Sequence, residues 1–465
     1  MSLVGPEPYP SNPLRQLAVD LRAERRGRAA RWPPGDNRVN PLRTHQVATG
    51  PLALLLDAYE RHGPIFTLRI LSSKQVFMIG PEANHHILVS HMNDFQWREG
   101  GFGQLIPLLG DGMLTIDGEF HRRSRRIMLP SFHKESIAAM TETMEAEADA
   151  AVGAWRVGQR LDLYSWARQL ALRIAMRALF GFAGDDAAAA RNFEIALGFY
   201  GHDYVVQTFR GPRTPWARMH AARRRLDELI YGEIGRRRRT GERGTDVLSL
   251  LLDAQDEDGS MLADQHIRDE VMTLLFAGHD TTTSTVAFLF YELSRDSAEE
   301  ARIAAAVEDR DYPATELMGG EALPRLERAL DETLRLWPAA WIGPRHSARS
   351  FEFAGVRVPA GVPVNYSSWV SHRLPDVWDE PHAFRPARFV PDAKAKLPKG
   401  AYIPFGGGSR TCIGMRFGQL EIKAIATNIL RRWRLEVEPG YELRVRQMPT
   451  IGPRGGMPVV VRPRA

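Results

Sequence analysis

One cysteine, Cys412, occurs in 465 residues. A lone thiol excludes an intramolecular disulfide framework and a multi-cysteine zinc site. No stretch reaches the roughly 18 uninterrupted apolar residues that a membrane helix needs. The nearest, Thr283 to Leu293, is short and carries Glu292. Residues Met1 to Asn40 hold four early prolines and a basic stretch, with no apolar core of a signal peptide. With one thiol and no span, a cytoplasmic location is expected. No Gly-x-Gly-x-x-Gly fingerprint is present, so the chain is not expected to bind a dinucleotide itself. A large excess of one charge sign is also absent: 61 Lys and Arg against 56 Asp and Glu leave a net charge of only +5. The run Arg236 to Arg239 has no aromatics interleaved with it, which argues against a nucleic-acid groove. It is expected to be a solvated helix end.

What is there is a globular composition, 44% hydrophobic and 25% charged. The stretch Ile65 to Ile79 alternates branched residues around Ser72-Ser73-Lys74 and predicts a hairpin. From Pro81 to Trp337 the pattern is mostly helical. Short strands are expected between Phe351 and Val364, with turns at Ala354-Gly355 and Ala360-Gly361, and again at Arg434 to Val437 and Val459 to Val461. The fold class is therefore mainly α with a minor β region (α+β). No linker or repeat divides the chain. A single domain over residues 1–465 is expected, with residues 1–40 as a proline- and arginine-rich extension.

The cysteine stands in Phe405-Gly406-Gly407-Gly408-Ser409-Arg410-Thr411-Cys412-Ile413-Gly414. A thiolate can be the axial ligand of a haem iron, where it donates electron density and favours O–O cleavage. Glycines let backbone N–H groups approach the sulfur and tune its donor strength. Arg410 can pair with a haem propionate. Phe405 can shield the sulfur from water. The competing reading is a structural cysteine beside a glycine-rich turn.

Asp264 to about Leu293 predicts one long helix from the stripe Ile267, Val271, Leu274, Leu275 and Gly278. Its middle, Ala277-Gly278-His279-Asp280-Thr281-Thr282, is poor helix sequence; Gly278 alone costs about 1 kcal/mol against alanine. Small residues let a helix pass close over a cofactor, a hydroxyl holds water, and a carboxylate relays protons. The competing reading is a glycine-kinked helix with Thr281 bonded back to its own carbonyl. Further along, Glu332 and Arg335 share a helix face at i, i+3. Such pairs are common on surface helices.

These motifs resemble those of the cytochrome P450 superfamily, in the form of a soluble bacterial-type member, and they stand along the chain in that family's order: propionate helix, oxygen-side helix, Glu-x-x-Arg helix, arginine loop, cysteine loop. The resemblance spans about residues 40–465. It implies a haem b buried between the long oxygen-side helix and the cysteine-loop helix, with Cys412 as the metal ligand. It implies cofactor contacts from Ala277, Gly278, Phe405, Gly408, Arg410 and Gly414. Asp280 is assigned to proton delivery and Thr281 to oxygen and water binding. Glu332, Arg335 and Arg388 form a buried network supporting the loop; Ala387 stands where a glutamate is often found. His121 and Arg125, one turn apart, and Arg345 match propionate-binding positions. The remaining cations Arg122, Arg123, Arg126, Arg416, Lys423, Arg431 and Arg432 would flank the sulfur side and steer an acidic donor.

The implied activity is insertion of one atom of O2 into a hydrophobic substrate of the fatty acid, terpenoid or steroid class. Electrons would come from a separate ferredoxin or flavodoxin-type partner, so NAD(P)H acts only indirectly. A monomer is expected. Candidate pocket residues are Phe95, Trp97, Phe102, Leu105, Ile106, Leu109, Phe276, Ala339, Ala340, Ile342 and Ile451, each equally readable as core. The alternatives are a peroxide-dependent peroxygenase on the same fold, which would not need Asp280 and Thr281, and a non-catalytic haem-binding protein.

Overall fold

The computed structural model describes residue 18 and residues 32–70, 73–182, 186–202, 206–207, 209–255, 259–307, 317, 323–448 and 450–464. Most of the expected extension over residues 1–40 lies outside these, as do Leu71 and Ser72 of the hairpin turn. The chain is mainly helical with minor sheets. No helix among the described residues is long and apolar enough to cross a membrane. Two compact units are formed, each from separate stretches of chain: Met1–Pro107 with Leu114–Phe120 and Leu334–Cys412, and Leu108–Met113 with His121–Thr333 and Ile413–Ala465.

The first unit holds a six-stranded sheet. Its strands are β1 (Gly35–Asp36), β2 (Ile65–Ile70), β3 (Ser73–Met78), β4 (Phe95–Gln96), β6 (Gly343–Ser347) and β9 (Pro363–Tyr366), in the order β1-β2-β3-β9-β6-β4. The expected hairpin is β2–β3, antiparallel, with Ile65 opposite Met78. Strand β6 was not legible from composition, because it reads Gly-Pro-Arg-His-Ser. Burial alternates along it and turns Gly343, Arg345 and Ser347 inward. Its register opposite β9 sets Gly343 against Tyr366. Glycine is required there: a Cβ would lie 2.1 Å from the Tyr366 ring. A separate hairpin joins β7 (Phe351–Phe353) to β8 (Val356–Val358). Its two-residue turn, Ala354 at φ 49° and Gly355 at φ 72°, has the left-handed pair that a type I′ connection needs.

The second unit is built of helices, among them α1 (Lys134–Gly153), α2 (Leu163–Ile174), α3 (Pro215–Thr240), α4 (Asp264–Arg295) and α5 (Met415–Arg432). A sheet of β5 (Arg160–Asp162), β13 (Pro458–Pro463) and β10 (Trp433–Val437) closes one part of it, in the order β10-β13-β5. A short pair, β11 (Val445–Arg446) and β12 (Gly452–Pro453), stands beside it in sequence.

Helix α4 runs 32 residues, as the periodicity predicts, and is buried almost all round. That burial takes in three consecutive ionisable residues, and each is tied to the segment 108–113; burial pushes the Glu270 carboxyl up to about 8. Arg268 donates to the carbonyls of Leu108 (3.1 Å) and Leu109 (3.0 Å) and pairs with Asp227. Asp269 accepts from the Asp111 N–H at 2.9 Å, and Glu270 from the Met113 N–H at 3.0 Å. Residues 108–113 are thus clasped along the first turns of α4.

The arginine run at 236–239 departs from its expectation. Arg237 is buried, because the last turns of α3 pack against the start of the next helix, Val247–Asp253. Its guanidinium pairs with Glu233 (2.7 Å) and Asp246 (2.8 Å) and donates to the Phe180 carbonyl (2.7 Å). Removing one member of such a cluster leaves buried charge uncompensated. Arg237→Met is expected to lower unfolding stability by about 3 kcal/mol. Arg238→Met, at a more exposed position, is expected to change it by less than about 1 kcal/mol. Urea midpoints of the two variants check this.

Candidate functional site

In the first unit the cysteine loop is held by its own backbone. The Cys412 N–H donates to the Phe405 carbonyl at 2.9 Å, and the Gly406 N–H to the Ile403 carbonyl at 3.1 Å. Gly406 (φ 70°) and Gly408 (φ 62°) lie in the left-handed region. At Gly408 a Cβ would meet the Leu88 carbonyl oxygen at 1.9 Å, so the loop can follow this path only without a side chain there. Cys412 is exposed and Phe405 half-buried. Gly414 lies just before α5, its carbonyl accepting from the Gly418 N–H at 2.8 Å.

Two predicted propionate cations gather around Trp97 in the same unit. Arg410 lies 4.8 Å from the ring centre and Arg345 3.9 Å. Arg410 donates to the Ile116 carbonyl and to Asp117, both at 2.7 Å. Asp117, which the sequence reading did not single out, also accepts from the Trp97 and Arg98 backbone N–H groups. Arg345 is buried, donates to the Pro344 carbonyl, and faces Tyr366. Among the described residues no carboxylate comes within ion-pair distance of it, and burial pulls its pKa down. A buried guanidinium with no carboxylate at ion-pair distance fits an anionic group such as a haem propionate. A single exposed thiol on a glycine-lined loop fits the iron ligand. No three His, Cys, Asp or Glu side chains among the described residues gather to hold a metal directly.

Of the predicted scaffold residues, Glu332 and Arg335 are fully buried and Arg388 is half-buried. Arg335, near the end of the helix Pro324–Leu336, donates to the carbonyls of His372 (2.8 Å), Pro381 (2.8 Å) and Ala383 (3.1 Å). Arg388 donates to the Glu380 carbonyl at 2.8 Å. Together they gather the segment 372–383 by its backbone.

In the second unit the oxygen-side motif marks an opening. Between Ile267 and Phe290 every residue of α4 is buried except Ala277, Gly278 and Thr281. These three share one face, and a Cβ at Gly278 would meet nothing within 4 Å. Thr281 Oγ1 donates to the Ala277 carbonyl at 2.6 Å. That bond is the one anticipated for a plain helical threonine, and it leaves the oxygen's lone pairs free to accept.

Asp280 points elsewhere and is buried. Thr450 Oγ1 (2.5 Å) and Tyr164 Oη (3.3 Å) donate to it, and Arg168 (3.3 Å) and Arg446 (3.6 Å) flank it. Burial opposes its charge, but Arg168 and Arg446 outweigh burial and hold its carboxyl below the usual range. His279 is buried too, and burial lowers its pKa to about 4. One residue on from Thr281, Thr282 Oγ1 donates to Glu421 of α5 at 2.9 Å. Burial, opposed only in part by the Thr282 hydrogen bond, pushes the Glu421 carboxyl up to about 8. Sequence reasoning missed Tyr164, Arg168, Arg446, Thr450 and Glu421. Tyr164 and Arg168 are one turn apart on α2, but they lie more than 100 residues from Asp280 and the others, so no local pattern connects them to it.

His121 is buried and Arg125 half-buried, one turn apart on the helix Gly118–Met128. Of the pocket candidates in the first unit, Trp97 and Phe102 stack at 4.7 Å, and Leu105, Ile106 and Ile342 are half-buried. Ala339 is buried and Ala340 exposed. Phe95 packs into the core against Phe351 at 5.0 Å. In the second unit Leu109, Phe276 and Ile451 are buried. The basic set needs one correction. Lys423 is not on a surface: it is buried, donates to the Leu317 carbonyl at 2.7 Å and pairs with Glu327 at 2.5 Å. Arg432 is exposed and paired with Asp149, and Arg122, Arg126 and Arg416 are also exposed.

The buried Glu421 gives a pH prediction. Between pH 4.5 and 8 the folded protein keeps the Glu421 proton while the unfolded chain releases it. The folded state then binds more protons, and stability falls as pH rises through that window. Glu421→Gln is expected to remove this contribution. Its melting temperature should drop less than that of wild type between pH 6.5 and 8, as calorimetry can measure.

Known proteins give the same picture. The sequence profile of the cytochrome P450 family matches residues 33–453. Cyclooctatin synthase of Streptomyces melanosporofaciens is 35% identical over 89% of this chain and 92% of its own. Cyclooctat-9-en-7-ol 5-monooxygenase of the same organism is 34% identical over 91% and 94%. Pentalenene oxygenase of Streptomyces avermitilis is 30% identical over 87% and 91%. Among solved structures, retinoic acid-bound cyanobacterial CYP120A1 superposes with a TM-score of 0.84 at 26% identity, covering 93% of this chain and 99% of that one. A profile match over nearly the whole length, on a chain whose lone thiol ends a glycine-lined loop, shows that this protein belongs to the cytochrome P450 family.

Proposed function

We propose that the protein is a haem-thiolate monooxygenase acting on a terpenoid-class hydrocarbon, with electrons from a separate ferredoxin or flavodoxin-type partner. The family implies the haem, the iron and O2. The terpenoid class rests on the cyclooctatin and pentalenene relatives and on the apolar character of the candidate pocket residues. The single observation that carries the reading is the opening of α4 at Ala277, Gly278 and Thr281. Between Ile267 and Phe290 the helix is bare only at these three residues, which this chemistry needs.

In this reading Cys412 holds the iron, and Arg345, Arg410, His121 and Arg125 hold the propionates. Phe405, Gly408 and Gly414 shape the sulfur side. The bound haem supplies the redox chemistry by which substrate, O2, two electrons and two protons become oxygenated product and water. The chain's own groups control protons and position. Thr281 Oγ1, donating to Ala277, accepts a hydrogen bond from water at the opening. Asp280, kept ionised by Arg168 and Arg446, does not store a proton; one arriving at its carboxylate is passed on. The exposed Arg122, Arg126 and Arg416 steer an acidic donor protein. One domain, acting as a monomer, serves all these roles.

The test is the difference spectrum of the dithionite-reduced protein with carbon monoxide. Wild type is expected to show a strongly red-shifted Soret band that Cys412→Ala loses. Absence of that band from haem-loaded wild type would sink the reading. Thr281→Ala is expected to keep the band but lower donor-dependent product formation on the order of 10²-fold.

A further inference from the structure

His372 lies between the Glu-x-x-Arg helix and the cysteine loop, and no part of the sequence pattern marks it. It is fully buried. Its Nδ1 lies 3.1 Å from the Arg335 carbonyl oxygen. Its Nε2 lies 2.9 Å from the Ile403 backbone nitrogen and accepts that N–H. The two contacts settle the tautomer: the proton sits on Nδ1 and is donated to Arg335. That carbonyl belongs to the last turn of its helix, where the final carbonyls have no partner within the helix. The contact is reciprocated, since the Arg335 guanidinium donates to the His372 carbonyl at 2.8 Å. Trp378 and Tyr402 enclose the ring. Burial, with Arg335 nearby, lowers the ring's pKa to about 3, so it stays neutral.

From Ile403 the bonding continues to the thiol. The Ile403 carbonyl accepts from Gly406, and the Phe405 carbonyl accepts from Cys412. An unbroken line of hydrogen bonds and short backbone therefore runs from the helix end, through one imidazole, to the residue that carries sulfur. The cysteine loop has little regular structure, so its position depends on what grips its ends.

We infer that His372 is a positioning residue for the thiolate ligand: as a neutral two-sided linker it fixes the start of the cysteine loop to the Glu-x-x-Arg helix and so holds Cys412 where it can bind iron. This rests on the haem-thiolate reading. The role requires a donor and an acceptor on one flat, buried side chain. Glutamine offers both with its amide. Phenylalanine fills the space and offers neither.

The experiment compares wild-type holoprotein with His372→Phe, His372→Gln and Arg237→Met, all at equal haem content. The readout is the ratio of the red-shifted to the unshifted ferrous carbon monoxide band. His372→Phe is expected to lower that ratio roughly 10-fold, the scale of lost support around a metal ligand. His372→Gln should restore most of it. Arg237→Met, which weakens the fold elsewhere, should leave it unchanged. A His372→Phe ratio equal to wild type, or a glutamine variant no better than phenylalanine, overturns the inference. Should His372→Phe fail to accumulate, hydrogen exchange at the Ile403 amide of wild type decides. Exchange as slow as that of sheet amides supports the linker, and exchange as fast as that of an exposed loop overturns it. Loss of the red-shifted band from wild type itself would instead refute the haem-thiolate reading.

Discussion

The structure around Cys412 depends on the satisfaction of backbone carbonyls by one buried guanidinium. Arg335 donates to three carbonyls spread over residues 372–383, and none of those residues lies in a long helix or strand. Irregular backbone carries polar groups that cannot stay buried without partners. A lysine would offer a point charge; the planar fork reaches several acceptors at once. Once that segment is fixed, His372 and the aromatic pair Phe389 and Tyr402 have defined places, and the loop leading to the thiol is built against them.

A second constraint acts on α4. A helix buried on every side has no room for function, because its surface is consumed by packing. Here the exception is confined to one face over about one turn, at Ala277, Gly278 and Thr281. Poor helix formers are tolerated there because the flanking stretches are held so firmly. On the N-terminal side Arg268, Asp269 and Glu270 clasp residues 108–113. On the other side Thr282 reaches Glu421, and Asp280 is gripped by four partners. The local propensity cost is offset by tertiary contacts, as happens where a sequence breaks its own local rule for a site.

Legibility followed the range of the interactions. Cys412, Gly408, Arg410 and the Ala277 to Thr281 motif stand out in the sequence because their pattern is local and their spacing fixed. The β2–β3 hairpin and α4 could be read because their periodicities are strong. Strand β6 could not, since Gly343 and Arg345 owe their places to Tyr366 and Trp97. Nor could His372, Tyr164, Arg446 or Thr450, whose partners lie tens to hundreds of residues away. Charge was the least legible property. Arg237 and Lys423 read as surface cations, yet both are buried because carboxylates and carbonyls from other segments meet them.

The same physics separates the carboxyl groups on and beside α4 into two kinds. Asp280 and Glu421 are both fully buried, one residue and one helix apart from Thr281 and Thr282 respectively. Burial drives each toward the protonated form. Asp280 meets two guanidinium groups and stays ionised, whereas Glu421 meets only a hydroxyl and keeps its proton near neutral pH. Two acids whose environments push their pKa values apart can divide the handling of protons between them. The division here is set by where Arg168 and Arg446 are placed, not by the carboxylates themselves. The position of two arginines therefore decides which of the two buried carboxyl groups is ionised and which keeps its proton.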